Sequence, residues 1–166
     1  LGQRTRPGIY DVDSLGFNYR MNEVEAAVGL KQIEKLNDSL KIRKRNFSII
    51  KKYLNNISSI LTLPNELENI ESSFYCLNII LPRDSSINRN SVQDFLKNKG
   101  IGTSIHYPCA VPLFSYYKNK YNYKTGQFPI AEWMASKTIS IPLAPHVSED
   151  NAHYIGSSLL NAITSI

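Results

Sequence analysis

The apolar positions change period along the chain, and the changes outline its elements. From Val24 to Leu54 they recur at spacings of three, four and seven residues, as at Leu36, Leu40, Phe47, Ile50 and Leu54, which predicts helix. Asn22 stands where that helix begins, and Glu25, three positions on, completes a capping-box pattern that satisfies free backbone N–H groups. Ala26, Ala27 and Gly29 place small residues on its first turns, while Val24, Val28, Leu30 and Ile33 offer apolar contact. Tight packing of this face against another element is the expectation. Asn37-Asp38-Ser39 punctuates the pattern, so one long or kinked helical arm reaching about Leu54 is predicted.

Beyond a loop around Pro64 to Ser72 the pattern becomes extended. Phe74 to Leu81 has strand composition and stops at Pro82. Ser91 is placed to cap a short helix with Asp94 at the box position, and Gly100 to close it through a left-handed turn. A second strand is predicted over Ile101 to Ile105, leading into His106-Tyr107-Pro108. Leu113 to Tyr123 reads as an aromatic loop over a core edge or a ligand, with Phe114, Tyr116, Tyr117, Tyr121 and Tyr123 among three lysines. Pro129 suits the first turn of a helix running to about Ser136, Thr138 to Ile141 reads as a strand, and Ser148 caps a last amphipathic helix. A helical arm followed by β-α-β, helix, strand and helix predicts a small α/β sandwich.

Composition sets bounds on this picture. The 166 residues, 42% of them hydrophobic and 20% charged, suffice for one domain with a real core. No apolar run approaches the roughly 20 residues of a membrane span, and no signal-peptide order is present. No membrane partner is expected, and the place expected for the protein is the cytoplasm. The chain starts at Leu1 rather than Met, so a piece of something longer is expected. Cys76 and Cys109 are too few for a disulfide scaffold and lack metal-ligand spacing. The net charge of +5 is concentrated in Lys41, Arg43, Lys44, Arg45, Lys51 and Lys52, which alternate with Leu40, Ile42, Phe47 and Ile50. A solvated helix face explains this better than nucleic-acid binding, for which no motif is present.

The segment densest in unusual choices is Gly16 to Gly29, GFNYRMNEVEAAVG. With three later blocks it carries a resemblance: Gly102-Thr103-Ser104-Ile105-His106-Tyr107-Pro108, Phe128-Pro129-Ile130-Ala131-Glu132, and Ser140-Ile141-Pro142-Leu143. In this order they resemble the signature of the DegT/DnrJ/EryC1/StrS sugar aminotransferases, which use pyridoxal phosphate. The resemblance implies the C-terminal part of a fold-type-I aminotransferase. Residues 1–56 would be the end of the large domain and a connecting helical arm, and 57–166 the small C-terminal α/β domain.

It also implies a homodimer that moves an amino group from glutamate to a nucleotide-linked keto sugar, for surface polysaccharide or a natural product. In the family, the Schiff-base lysine and the acidic partner of the pyridine nitrogen lie upstream of the GFNYRM-like block. This chain is therefore expected to hold no catalytic residue and to be inert alone. Asn18 corresponds to the asparagine that reaches the cofactor phosphate of the neighbouring subunit, and an amide can bond a phosphate oxygen without adding charge. Arg20 resembles the residue near the carboxylate of the amino donor, with Tyr19 shaping the same wall. His106 and Tyr107 resemble residues lining the sugar-nucleotide cleft.

Structural alternatives stand beside these roles. Asn18 can be a turn residue, Arg20 an ion-pair partner of Glu23 or Glu25, Tyr19 packing, and His106 a strand-end hydrogen-bonder. Many family members carry a histidine shortly after the HYP block, where this chain has Pro112-Leu113-Phe114, which leaves the acceptor contacts open. Two further readings are a dehydratase of the same family using the same cofactor, and a non-catalytic interaction module that kept the small-domain fold.

Overall fold

Asn22 starts the first helix as its position in the sequence predicts. Its backbone is extended, its side chain accepts from the Glu25 N–H at 2.9 Å, and Glu25 Oε2 accepts from the Asn22 N–H at 3.4 Å, the reciprocal pairing of a capping box. The structure is a computed structural model describing residues 8, 11, 14–55, 57, 60–63 and 70–165. Within these, helix α1 spans Glu23–Ile33 and α2 spans Leu36–Leu54. The break between them is a turn at Glu34 and Lys35, ahead of the Asn37-Asp38-Ser39 punctuation. The chain divides into two compact units, Leu1–Lys35 and Leu36–Ile166. In the first, α1 buries none of its residues, and Val24, Val28, Leu30 and Ile33 are exposed; its expected packing contacts are not found among the described residues.

The second unit is built on three antiparallel strands in the order β1-β2-β3, with β1 at Leu61–Leu63, β2 at Leu77–Ile80 and β3 at Thr138–Ile141. The register pairs Leu77 with Ile141 and Ile79 with Ile139, and because side chains alternate across a strand these four lie on one face. They share a core with Phe47, Ile50 and Leu54 of α2, with Val92 and Leu96 of α3 (Arg89–Asn98), and with Ile155, Leu159 and Ile163 of α6 (Glu149–Ser165). Each large side chain fully buried here contributes roughly 1.5–3 kcal/mol. Asn46 of α2 is fully buried yet satisfied: its amide donates to Val147 O at 2.9 Å and its oxygen accepts from Arg45. That pairing fastens α2 to the approach of α6.

Several elements differ from the sequence prediction, each for a local reason. The strand expected over Phe74–Leu81 pairs only from Leu77, because Phe74 takes a left-handed backbone (φ 46°) and turns its ring into the core, 4.9 Å from Phe47. A bulky residue there is strained, and burial together with the Ser72 Oγ that accepts its N–H at 3.1 Å holds it. Helix α3 is capped by Asn88, whose side chain accepts from the Asn90 N–H at 2.8 Å, in place of Ser91. Its end is as predicted: Gly100 is left-handed (φ 75°), and the Gly100 and Ile101 N–H groups donate to Lys97 O and Leu96 O, a Schellman closure. Ile101 is consumed by that closure, so the strand expected over Ile101–Ile105 is reduced to one bridge between Ser104 and Ser140.

The tyrosine tract is a helix rather than a loop. After a single 3₁₀ turn at Val111–Leu113, α4 runs Ser115–Tyr121, with Tyr116, Tyr117 and Tyr121 exposed and packed on one another. Helix α5 (Pro129–Lys137) begins at Pro129 as expected and leads directly into β3. Arg89 donates to Ala135 O, and Lys137 to Ser85 O and Ile87 O, binding the β2–α3 loop to α5. Burial holds the Arg89 guanidinium below its ordinary pKa. Among the described helices none is long and apolar enough to cross a membrane.

Candidate functional site

Two sets of sequence-predicted residues fall in different units. The first is Asn18, Tyr19 and Arg20, on the irregular lead-in to α1. Phe17 and Tyr19 stack at 5.3 Å with an interplanar angle of 17°, which puts Asn18 between the two rings in sequence and at the alternate position. All three candidates are exposed. Among the described residues neither the Asn18 amide nor the Arg20 guanidinium has a hydrogen-bond partner, and no ion pair joins Arg20 to Glu23 or Glu25. The capping box immediately downstream engages Glu25 with Asn22 instead, and so fixes where the free segment ends.

The second set is His106 and Tyr107, which sit together at a cleft of about 260 Å³. Its floor is the sheet face opposite the core, where Asn78, Ile80 and Thr138 point. Ala131, Met134 and Ala135 of α5 form one wall, and the loop from His106 to Val111 forms the other. The rings of His106 and Tyr107 meet edge to face at 6.4 Å, and His106 Nε2 lies 3.1 Å from Ser104 Oγ. Ser104 is in turn joined to Ser140 by backbone bonds of 2.8 and 3.1 Å, and Ser140 Oγ donates to Asn78 Oδ1 at 2.5 Å. A polar relay thus runs from the exposed imidazole to the cleft floor.

Asn78 and Thr138 were absent from the predicted site, and the signal for them is present: Asn78 is the one polar residue of LNII, and Thr138 and Ser140 alternate with isoleucine in TISI, which puts all three on one face. Glu132 explains the FPIAE block in structural terms. Its carboxylate accepts from the N–H groups of Gly126 at 2.9 Å and Phe128 at 2.9 Å, tying the preceding turn to the start of α5. Of the other late blocks, Gly102–Pro108 supplies the cleft's histidine and tyrosine, whereas Ser140–Leu143 lines an adjoining groove that shares His106 with it. Among the described residues no group of three or more His, Cys, Asp or Glu side chains is placed to hold a metal ion.

The model of the DegT/DnrJ/EryC1/StrS aminotransferase family matches residues 2–160. The chain belongs to this family. Among relatives, an uncharacterized protein of Methanocaldococcus jannaschii is 27% identical over 158 residues, which are 95% of this chain and 39% of that protein. The GDP-perosamine synthase of Escherichia coli O157:H7 is 30% identical over 148 residues, 89% of this chain and 38% of the synthase. Among solved structures, the PMP form of Spr1654 from Streptococcus pneumoniae, described there as a candidate sugar aminotransferase, superposes with a TM-score of 0.79 at 23% identity. That superposition takes in 95% of this chain and 39% of the other. At that identity the likeness establishes the fold alone, a mixed α/β fold shared with part of that protein. The chain spans about two-fifths of the length of the proteins it matches.

Proposed function

We propose that this chain is the C-terminal part of a pyridoxal-phosphate-dependent enzyme that transfers an amino group from glutamate to a nucleotide-linked keto sugar. Residues 1–56 are the end of the large domain and the connecting arm, and 57–166 the small domain, whose core α2 completes. The observation that carries the reading is that two of the later family blocks reach one cleft, through His106, Tyr107 and Ala131, while the third lines the groove that adjoins it at His106. A histidine and a tyrosine beside outward-facing asparagine and threonine suit the hydroxyls of a sugar, and Met134 and Ile80 supply apolar contact to its ring face.

The cofactor fits this chain only at its periphery. The exposed Asn18 amide has no internal partner among the described residues, so its N–H donors are available to a phosphate oxygen. Arg20, equally unengaged, offers a bidentate fork to the carboxylate of glutamate. Lys31 is held by Glu34 at 2.9 Å and lies outside any family block, as does Lys118; we place the cofactor-binding lysine elsewhere in the polypeptide. When bound, pyridoxal phosphate supplies the electron sink that amino transfer requires. The work of this chain is to orient: Asn18 the phosphate, Arg20 the donor, and His106 and Tyr107 the acceptor. A homodimer in the cytoplasm, with Asn18 serving the neighbouring subunit's site, belongs to the same proposal.

The test is made in the full-length polypeptide that contains this chain. Asn18→Ala is expected to weaken retention of pyridoxal phosphate about tenfold, the effect of losing ~1.4 kcal/mol, and Arg20→Gln to raise KM for glutamate with cofactor retention unchanged. Unaltered cofactor affinity in Asn18→Ala removes that residue from the site. Elimination of water from the sugar without any amino donor identifies the dehydratase instead, and absence of any turnover or cofactor binding identifies a non-catalytic module.

A further inference from the structure

Arg43 differs from the other cations of α2. Lys41, Lys44, Arg45 and Lys52 are exposed, whereas Arg43 and Lys51 are half-buried. Of these two, Arg43 alone has an enclosed donor, its Nε, without a hydrogen-bond acceptor among the described residues. Arg45 donates to Asn46 and Val147, and Arg89 to Asn90 and Ala135; among the described residues Arg43 has the Tyr75 ring, its centroid 5.8 Å from the guanidinium carbon. Enclosed donors left unpaired are uncommon and costly, and call for an explanation. Arg43 also lines a groove of about 240 Å³ together with Cys76, Gly102, Ser104, His106 and Ser140. No aspartate or glutamate is among the groove's described lining residues.

We propose that this groove is an oxyanion-binding site, taking a phosphate or carboxylate group on Arg43 with help from Ser104 and His106. A guanidinium resting on an aromatic face keeps its N–H donors in its own plane, where they match two oxygens of one anion. The Ser104 hydroxyl can donate to the same group, and a ring N–H of His106, whose Nε2 lies 3.1 Å from that hydroxyl, offers a further donor. The groove adjoins the cleft through His106, which lines both. The inference goes beyond the transferase reading and does not rest on it, because the unpaired cation and its lining stand whatever the cleft accepts.

The test is an NMR titration of the 166-residue chain at constant ionic strength, with inorganic phosphate in one arm and acetate in the other. Saturable shifts centred on the Arg43 side-chain N–H, Gly102 and Ser104 are expected. Saturation by phosphate alone assigns the site to phosphate groups, and saturation by acetate alone assigns it to carboxylates. Arg43→Gln is expected to weaken binding at least tenfold. Arg43→Lys, which keeps the charge and the fold but loses the planar fork, is expected to weaken it at least threefold. Absence of saturable shifts in both arms overturns the proposal, as does a response centred on the exposed Lys41 and Lys44, or wild-type affinity in either folded variant.

Discussion

Ser140 donates its hydroxyl to the amide oxygen of Asn78 at 2.5 Å across the β2–β3 pair, on the sheet face opposite the core. The same Asn78 oxygen accepts weakly from Cys76 Sγ at 3.7 Å, and the Ser140 backbone holds Ser104. One residue pair therefore joins the cleft floor to the strand that positions His106. Ser140→Ala is expected to cost about 1 kcal/mol, the net value of a partly buried hydrogen bond, read as a shift in the urea midpoint with unchanged slope. Because the Ser104–Ser140 bridge is made by backbone, the amide of Ser104 should keep its exchange protection in this variant.

Gly156 of α6 lies against the Tyr53 ring, where an added Cβ would stand 2.4 Å from Cδ2. Gly156→Ala must displace that ring and with it the 3.0 Å bond between the Tyr53 hydroxyl and His153 Nδ1. A loss of about 1–3 kcal/mol is expected, the usual cost of overpacking. In a Tyr53→Ala background the same substitution should cost far less; equal cost in both backgrounds would show that the ring is not the obstacle.

Glu132 is a charged acceptor for the Gly126 and Phe128 N–H groups, and hydrogen bonds to charged groups are worth about 1.5–3 kcal/mol when shielded. Glu132 is only partly shielded, so Glu132→Gln is expected to cost about 1 kcal/mol. It should accelerate amide exchange at Gly126 and Phe128 before any other site.

Removing the α1 cap should act locally. Asn22→Ala deletes the side-chain arm of the capping box, leaving only the bond from the residue-22 backbone N–H to Glu25, and is expected to cost about 1 kcal/mol of helix stability. Exchange at the Glu25 and Ala26 amides should rise, while the β2–β3 strand pair stays protected.

Where local chemistry decides structure, the sequence was legible. The Asn22–Glu25 box, the proline start of α5, the Gly100 closure and the Thr138–Ile141 strand all depend on neighbours within a few residues. Asn88 and Ser91 both offer a cap one turn apart, and only the packing of Val92 and Leu96 into the core selects between them. The end of the Phe74–Leu81 run is set by the contact of Phe74 with Phe47, 27 positions away, which no local pattern reports. Of the residues at the candidate cleft, His106 and Tyr107 stand in a motif legible in the sequence. Asn78, Thr138 and Arg43 were missed because their significance lies in which face of the sheet or groove they reach.

The most direct measurement follows the nitrogen itself. The full-length polypeptide containing this chain, supplied with pyridoxal phosphate, a nucleotide-linked keto sugar and glutamate labelled with ¹⁵N at its amino group, should place the label on the sugar. It should release one 2-oxoglutarate for each amine formed, and His106→Ala should slow the transfer while leaving the cofactor bound. Sugar that gains no label while glutamate remains intact would contradict the account.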